Sequence, residues 1–158
     1  MEVNKIISHA LQSMPPSKRQ KAFAKDTSKL IHMGLNENNY GMSPKAVAAL
    51  EDSMAGSHFY PDFAAVLLKQ KVAEQYGLKA ENVLTGAGSS AMIDMIGLTF
   101  LDEGDEVLFS APTYGAFADM AYLNGGVLVS VPVTEEQKFN LPAMKEKIGE
   151  KTKIVVIC

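Results

Sequence analysis

Thr85-Gly86-Ala87-Gly88-Ser89-Ser90 is the stretch whose chemistry is most readily named in this 158-residue sequence. Its glycines allow a sharp backbone turn, and the apolar residues that follow read as a helix. The first N–H groups of a helix lack carbonyl partners and lie at the positive end of its dipole. Two serines add hydroxyl donors at the same place. Donors converging there suit a phosphate dianion, although the same residues also read as a serine-capped turn that binds nothing. Pro112-Thr113-Tyr114-Gly115 follows a strand-like run, which puts its loop at the carboxyl edge of an open sheet, beside the glycine turn. A tyrosine there can lay its ring over a flat heteroaromatic ligand, or it can pack on its own turn. Two polar turns upstream each hold one tyrosine: Tyr40 within 36–41 and Tyr60 within 59–62. Each of these alone is uninformative.

Two phosphate motifs compete for the glycine turn. The Walker pattern fails because no lysine follows the glycines. The dinucleotide fingerprint G-x-G-x-x-A fits residues 86–91, but it also asks for an acidic ribose contact at the end of the next strand. That strand runs from Glu106 to Ser110 and ends in Ser110-Ala111-Pro112, with Asp105 and Glu106 at its other end.

Other chemistries find little support. His9, His32 and His58 are scattered without metal-ligand spacing, so no metal site is expected. Cys158 is the one cysteine, which excludes an internal disulfide, and a cysteine at a strand end reads as a small buried residue. Most of the lysines, such as Lys69, Lys71, Lys145, Lys147 and Lys151, stand in polar contexts; none has the apolar setting that would prepare it as a nucleophile. Arg19 reads as a solvated charge. The net charge of −3 gives no footprint for nucleic acid or an anionic membrane. No apolar run is long enough to span a bilayer and no signal peptide is visible, so a cytoplasmic protein is expected.

The elements that must position these residues follow from periodicity. Residues 2–13 read as a short amphipathic helix with Val3, Ile6, Ile7, Ala10 and Leu11 on one face, stopped by Pro15 and Pro16. A polar arm follows, and residues 30–35 suit a short strand. Ser43 and Pro44 signal a helix start, Val47, Leu50 and Met54 keep its period, and Gly56 ends it. Asp62 caps a second helix with Phe63, Val66 and Leu67 as buried candidates, ending at Gly77. Beyond Gly77, strand-like runs at 82–86, 106–110, 127–131 and 153–158 alternate with helical ones at 90–101, 114–123 and 141–149. Strands spaced by helices predict an α/β fold, a mainly parallel sheet covered by helices on both faces.

Taken together and in this order, the turn 36–41, the Tyr-Pro-Asp at 60–62, the glycine turn and the Pro-Thr-Tyr-Gly loop resemble the fold-type I pyridoxal-phosphate enzymes. The chain is most similar to the histidinol-phosphate aminotransferase group of the class I/II aminotransferases, from about Ile31 to Cys158. The resemblance implies the amino-terminal part of that three-layer fold and pyridoxal 5'-phosphate as cofactor. It implies that Gly88, Ser89 and Ser90 bind the cofactor phosphate and that Tyr114 stacks on its ring. Tyr60 would reach the cofactor of a neighbouring subunit, making a homodimer the expected form, while Tyr40 and Asn36 would line the substrate side. The family often has proline where Asn39 stands, and an acidic pair where Ser90 and Ala91 stand.

The family also needs a Schiff-base lysine, an aspartate on the ring nitrogen and an arginine for the substrate carboxylate. In the family these follow an Asn-Pro-x-x-Pro-Thr-Gly loop after a strand like 153–158, so no residue of this chain is assigned a catalytic role and the chain reads as a fragment. The expected organisation is a helix and arm over 1–30, loops and two helices over 31–80, and the first part of the cofactor-binding domain over 81–158. The expected activity is amino transfer between an amino acid, with histidinol phosphate as a candidate, and a 2-oxo acid. The alternatives are a non-catalytic phosphate-binding module, a related decarboxylase or lyase on the same fold, and a small dinucleotide-binding domain.

Overall fold

The computed structural model describes residues 7–13, 31, 33 and 36–158. Its helices are α1 (His9–Ser13), α2 (Pro44–Ser53), α3 (Val66–Tyr76), α4 (Gly88–Phe100), α5 (Ala116–Leu123) and α6 (Leu141–Lys147), and its strands are β1 (Glu106–Ala111), β2 (Val127–Pro132) and β3 (Thr152–Val156). The chain forms two compact units, one within Met1–Pro16 and Thr85–Cys158, the other within Ser17–Leu84.

In the first unit the strands form a parallel sheet in the order β2-β1-β3. β1 is central because its residues are apolar on both faces, and a strand covered on both sides needs no polar alternation. Pleating sends Val107 and Phe109 to one face, where they pack with Ile93 of α4, Met120 and Ala121 of α5, and Leu128, Ile154 and Val156 of the neighbouring strands. Leu108 points the other way and meets Val129, Val131 and Met144 of α6. Helices therefore cover both faces of the sheet, in the three layers expected. Val107 and Leu108 are completely buried. The β1–β3 register shifts between Glu106 and Val107, where the Thr152 hydroxyl donates to the Glu106 carboxylate at 3.2 Å.

α4 and α5 approach closely through Gly97. A Cβ added there would stand 2.5 Å from Met120 Cγ and 2.6 Å from Asn124 Nδ2. α6 is capped by Asn140, whose side-chain oxygen accepts from the Ala143 N–H at 3.2 Å.

In the second unit the helix starts are fixed locally. Ser43 occupies the cap position of α2 but makes no side-chain cap bond; its carbonyl accepts from Ala46 and Val47. The cap position of α3 is Ala65, in the left-handed conformation and without a side-chain cap bond. Asp62, three residues earlier, accepts from the Ala64 N–H at 3.0 Å through one oxygen and from the first helical N–H, that of Val66, at 2.7 Å through the other. Gly77 closes α3 in the left-handed conformation, as its position predicts.

Several expectations are corrected. Residues 82–86 form no strand: a 3-10 turn (Ala80–Asn82) precedes an extended stretch that pairs with no strand among the described residues. Phe63, Val66 and Leu67 are exposed rather than buried; α3 packs on the Ala80–Asn82 turn and buries Ala73 instead. Val47, Leu50 and Met54 are likewise exposed, because α2 has no buried residue. The terminal strand is only partly covered. β3 has one ladder neighbour, β1, among the described residues, which leaves Val155, Ile157 and Cys158 exposed and only Val156 buried. Leu11 is exposed on α1, although Ile7 and Ala10 are half-buried. Val3, Ile6, Pro15, Pro16, Arg19 and the arm lie outside the described residues, as do most residues of the expected 30–35 strand.

Candidate functional site

The glycine turn leads directly into α4. Gly88 has φ of +78°, a conformation in which an L side chain is strained, and its N–H donates back to the Gly86 carbonyl at 2.8 Å. Beyond the neighbouring residues and the helix's own backbone, no atom lies within 4 Å of where a Gly88 Cβ would stand, so the glycine is required by backbone conformation and leaves open space in front of the turn. In a helix beginning here, the amides of Ser89 and Ser90 have no helical carbonyl to bond. The first turn of α4 contains no acidic residue, so no carboxylate of its own offsets the positive dipole end. Gly86 through Ser90 are all exposed.

The second part of the site comes from the β1–α5 loop. Ala111–Pro112 is cis, and Tyr114 follows two residues later. The Tyr114 hydroxyl lies 3.1 Å from Ser90 Oγ, a hydrogen bond joining the β1–α5 loop to the first turn of α4 between residues 24 apart in sequence. The Tyr114 ring also meets Phe117 edge-on, with centroids 6.2 Å apart, which fixes its plane. Four of the residues singled out from sequence, Gly88, Ser89, Ser90 and Tyr114, therefore converge at the carboxyl edge of the sheet.

Asn36, Tyr40 and Tyr60 belong to the 17–84 unit. Asn36 has φ of +54°. Tyr40 sits in a turn organised by Asn38, whose side chain accepts from the Tyr40 N–H at 3.1 Å and donates to the Gly41 carbonyl at 2.8 Å. The Tyr40 side chain is wholly exposed. Tyr60 is exposed as well, its ring 5.5 Å from that of Phe63.

Sequence reasoning gave no role to two hydroxyls flanking Ala111–Pro112. Ser110 Oγ and Thr113 Oγ1 are buried without a hydrogen-bond partner among the described residues. Ser110 pairs with Val131 and shares the α6 face with Leu108 by pleat alternation, so its hydroxyl belongs to the opposite layer from α4. The signal was a serine directly after the apolar run Val107 to Phe109 of β1. Among the described residues no group of three or more His, Cys, Asp or Glu side chains could hold a metal, and no helix is long and apolar enough to cross a membrane.

The donor set suits a phosphorylated aromatic cofactor: unpaired amides and a glycine without side-chain bulk for the anion, and a fixed phenol ring beside them. The model of the aminotransferase class I and II family matches residues 28–158. Histidinol-phosphate aminotransferase 2 of Carboxydothermus hydrogenoformans is 32% identical over 78% of the chain and 34% of its own length. Histidinol-phosphate aminotransferase 1 of Bacillus cereus (strain ATCC 10987) is 37% identical over 83% of the chain and 35% of its own length. The chain thus spans about a third of the curated relatives it matches. Among solved structures, the histidinol-phosphate aminotransferase of Sinorhizobium meliloti, in complex with pyridoxal-5'-phosphate, superposes with a TM-score of 0.78 at 22% identity, covering 92% of this chain and 40% of that one. A Thermus thermophilus aspartate aminotransferase gives 0.79 at 23% identity, covering 96% and 44%. These two likenesses establish the fold, that of fold-type I aminotransferases, and the family model establishes the lineage. The chain belongs to the class I and II aminotransferases.

Proposed function

We propose that this chain supplies the cofactor-phosphate cradle of a pyridoxal-phosphate-dependent aminotransferase of the histidinol-phosphate type. The hydrogen bond between Ser90 and Tyr114 carries the reading, because it brings the anion-binding turn and the ring-bearing loop together. Ser89 and Ser90 offer backbone amides to the phosphate, Ser90 adds its hydroxyl, and Gly88 makes the turn possible. Tyr114 presents its ring to the cofactor. Pyridoxal phosphate supplies the electron sink that amino transfer requires, and the protein supplies its binding and orientation. The substrate pair is an amino acid, with histidinol phosphate the candidate amino donor, and a 2-oxo acid. Asn36 and Tyr40 belong to the substrate side, and Tyr60 reaches the cofactor of a second subunit in a homodimer.

The reading is tested by titrating the polypeptide encoded by the gene with pyridoxal phosphate and with pyridoxal, which lacks the phosphate. A clear preference for the phosphorylated form, abolished by Gly88→Val, is expected. Equal, weak binding of both overturns the cradle. Amino transfer from histidinol phosphate to a 2-oxo acid by the same polypeptide is the second expectation. Its absence, with transfer from another amino acid retained, would remove the substrate assignment and leave the cofactor site standing.

A further inference from the structure

The Ser90–Tyr114 contact has a direction that an anion would decide. Each hydroxyl carries one proton, and at 3.1 Å either oxygen can donate to the other. An anion in the cradle competes for the Ser90 proton, and a charge-assisted hydrogen bond is roughly twice as strong as a neutral one. Once Ser90 donates to the anion, its oxygen is left to accept, and Tyr114 is the hydroxyl within reach. A phenol is the better donor of the two, and each bond in such a chain polarises the next. We propose that the Tyr114 hydroxyl is a positioning group for the bound phosphate, donating to Ser90 Oγ so that Ser90 donates to the anion, a role separate from the Tyr114 ring.

The inference rests on the cradle reading above. It also adds to it: ring stacking alone gives the hydroxyl no function. The ring is independently held by Phe117, so removing the hydroxyl leaves the aromatic face in place. Tyr114 is 42% exposed, which keeps the expected effect moderate.

The test is equilibrium binding of pyridoxal phosphate and of pyridoxal to the encoded polypeptide and to Tyr114→Phe, Ser90→Ala, Ser90→Thr and the double variant Ser90→Ala/Tyr114→Phe. We expect Tyr114→Phe to weaken pyridoxal phosphate binding by about three- to fivefold and Ser90→Ala by roughly tenfold, the range for lost hydrogen bonds in a charge-terminated chain. Pyridoxal affinity should be unchanged in each. The double variant should bind no worse than Ser90→Ala, since Tyr114 acts only through Ser90, and Ser90→Thr should recover most of the affinity. Equal weakening of both ligands by Tyr114→Phe, additive losses in the double variant, or no loss in Tyr114→Phe would each overturn the relay while leaving the cradle intact. A parent polypeptide that does not prefer pyridoxal phosphate over pyridoxal would overturn the cradle and the relay together.

Discussion

The two units treat their apolar residues in opposite ways. Around the sheet, Val107, Leu108, Met120 and Ala121 are almost wholly buried between layers that the chain supplies itself. In the 17–84 unit, Phe59, Tyr60, Phe63 and Leu67 are all more than 70% exposed. Both units have capped helices and ordinary turns, so local signals do not separate them. What separates them is whether a second layer stands opposite. The sheet unit is held by burial, whereas the other unit's helices rest on caps, turns and Ala73, the single buried residue among the described residues of that unit.

This contrast has measurable consequences, the largest in the core. Leu108→Ala should destabilise the sheet unit by about 2–5 kcal/mol, the cost of a lost buried side chain and its cavity, while Leu67→Ala should stay within about 0.5 kcal/mol. Shifts in urea midpoint compare the two. A loss at Leu67 as large as that at Leu108 would mean that α3 is covered in solution.

Glycine replacements should differ in sign. Gly97→Ala drives a methyl into Met120 and Asn124 and should cost about 1–3 kcal/mol of overpacking. Gly56 has open space around it and an ordinary φ, so Gly56→Ala should stabilise by roughly 0.4–1 kcal/mol through the unfolded state. Thermal denaturation of the pair decides; a neutral Gly97→Ala would show that α4 and α5 part easily.

Cap removal should narrow the difference. Asp62→Ala and Asn140→Ala each delete a side-chain acceptor from a helix start and should each cost about 1 kcal/mol. Unequal losses, read by helical circular dichroism against temperature, would mean that one start is held by more than its cap. The smallest effects belong to the ion pairs. Lys71→Ala breaks an exposed pair with Glu74 and should change stability by no more than about 0.5 kcal/mol. Lys153→Ala breaks the partly covered pair with Asp105 and should reach at most about 1 kcal/mol. Sensitivity to salt in the first and not in the second would fit their exposures.

Much of the sheet unit was legible in the sequence because its signals are local and repeated. β1 and β2 reappear within a residue of their expected bounds, and so does the glycine turn before α4. Burial was less legible. Phe63 and Leu67 carry the same apolar pattern as Met120 and Ala121, and periodicity states which side of a helix is apolar but not whether anything covers it. Residues 82–86 failed for a related reason, since a strand exists only when another strand pairs with it. At the site, the sequence named Ser90 and Tyr114 separately. Their hydrogen bond depends on how the β1–α5 loop folds back toward α4, a distance no motif encodes.

The placement of β1 at the centre of the sheet also bears on how the protein is made. β1 leaves the ribosome before either of its neighbours. It can pair with β2 as soon as β2 has emerged behind α5, but the register with β3 closes a longer loop and must wait until β3 has followed α6. We predict that nascent chains stalled after β2 already protect the β1–β2 amides from exchange, with the other flank of β1 open. That flank is an unpaired edge in the growing chain, a point at which two nascent copies could join, until Thr152 to Val156 arrives to pair with it.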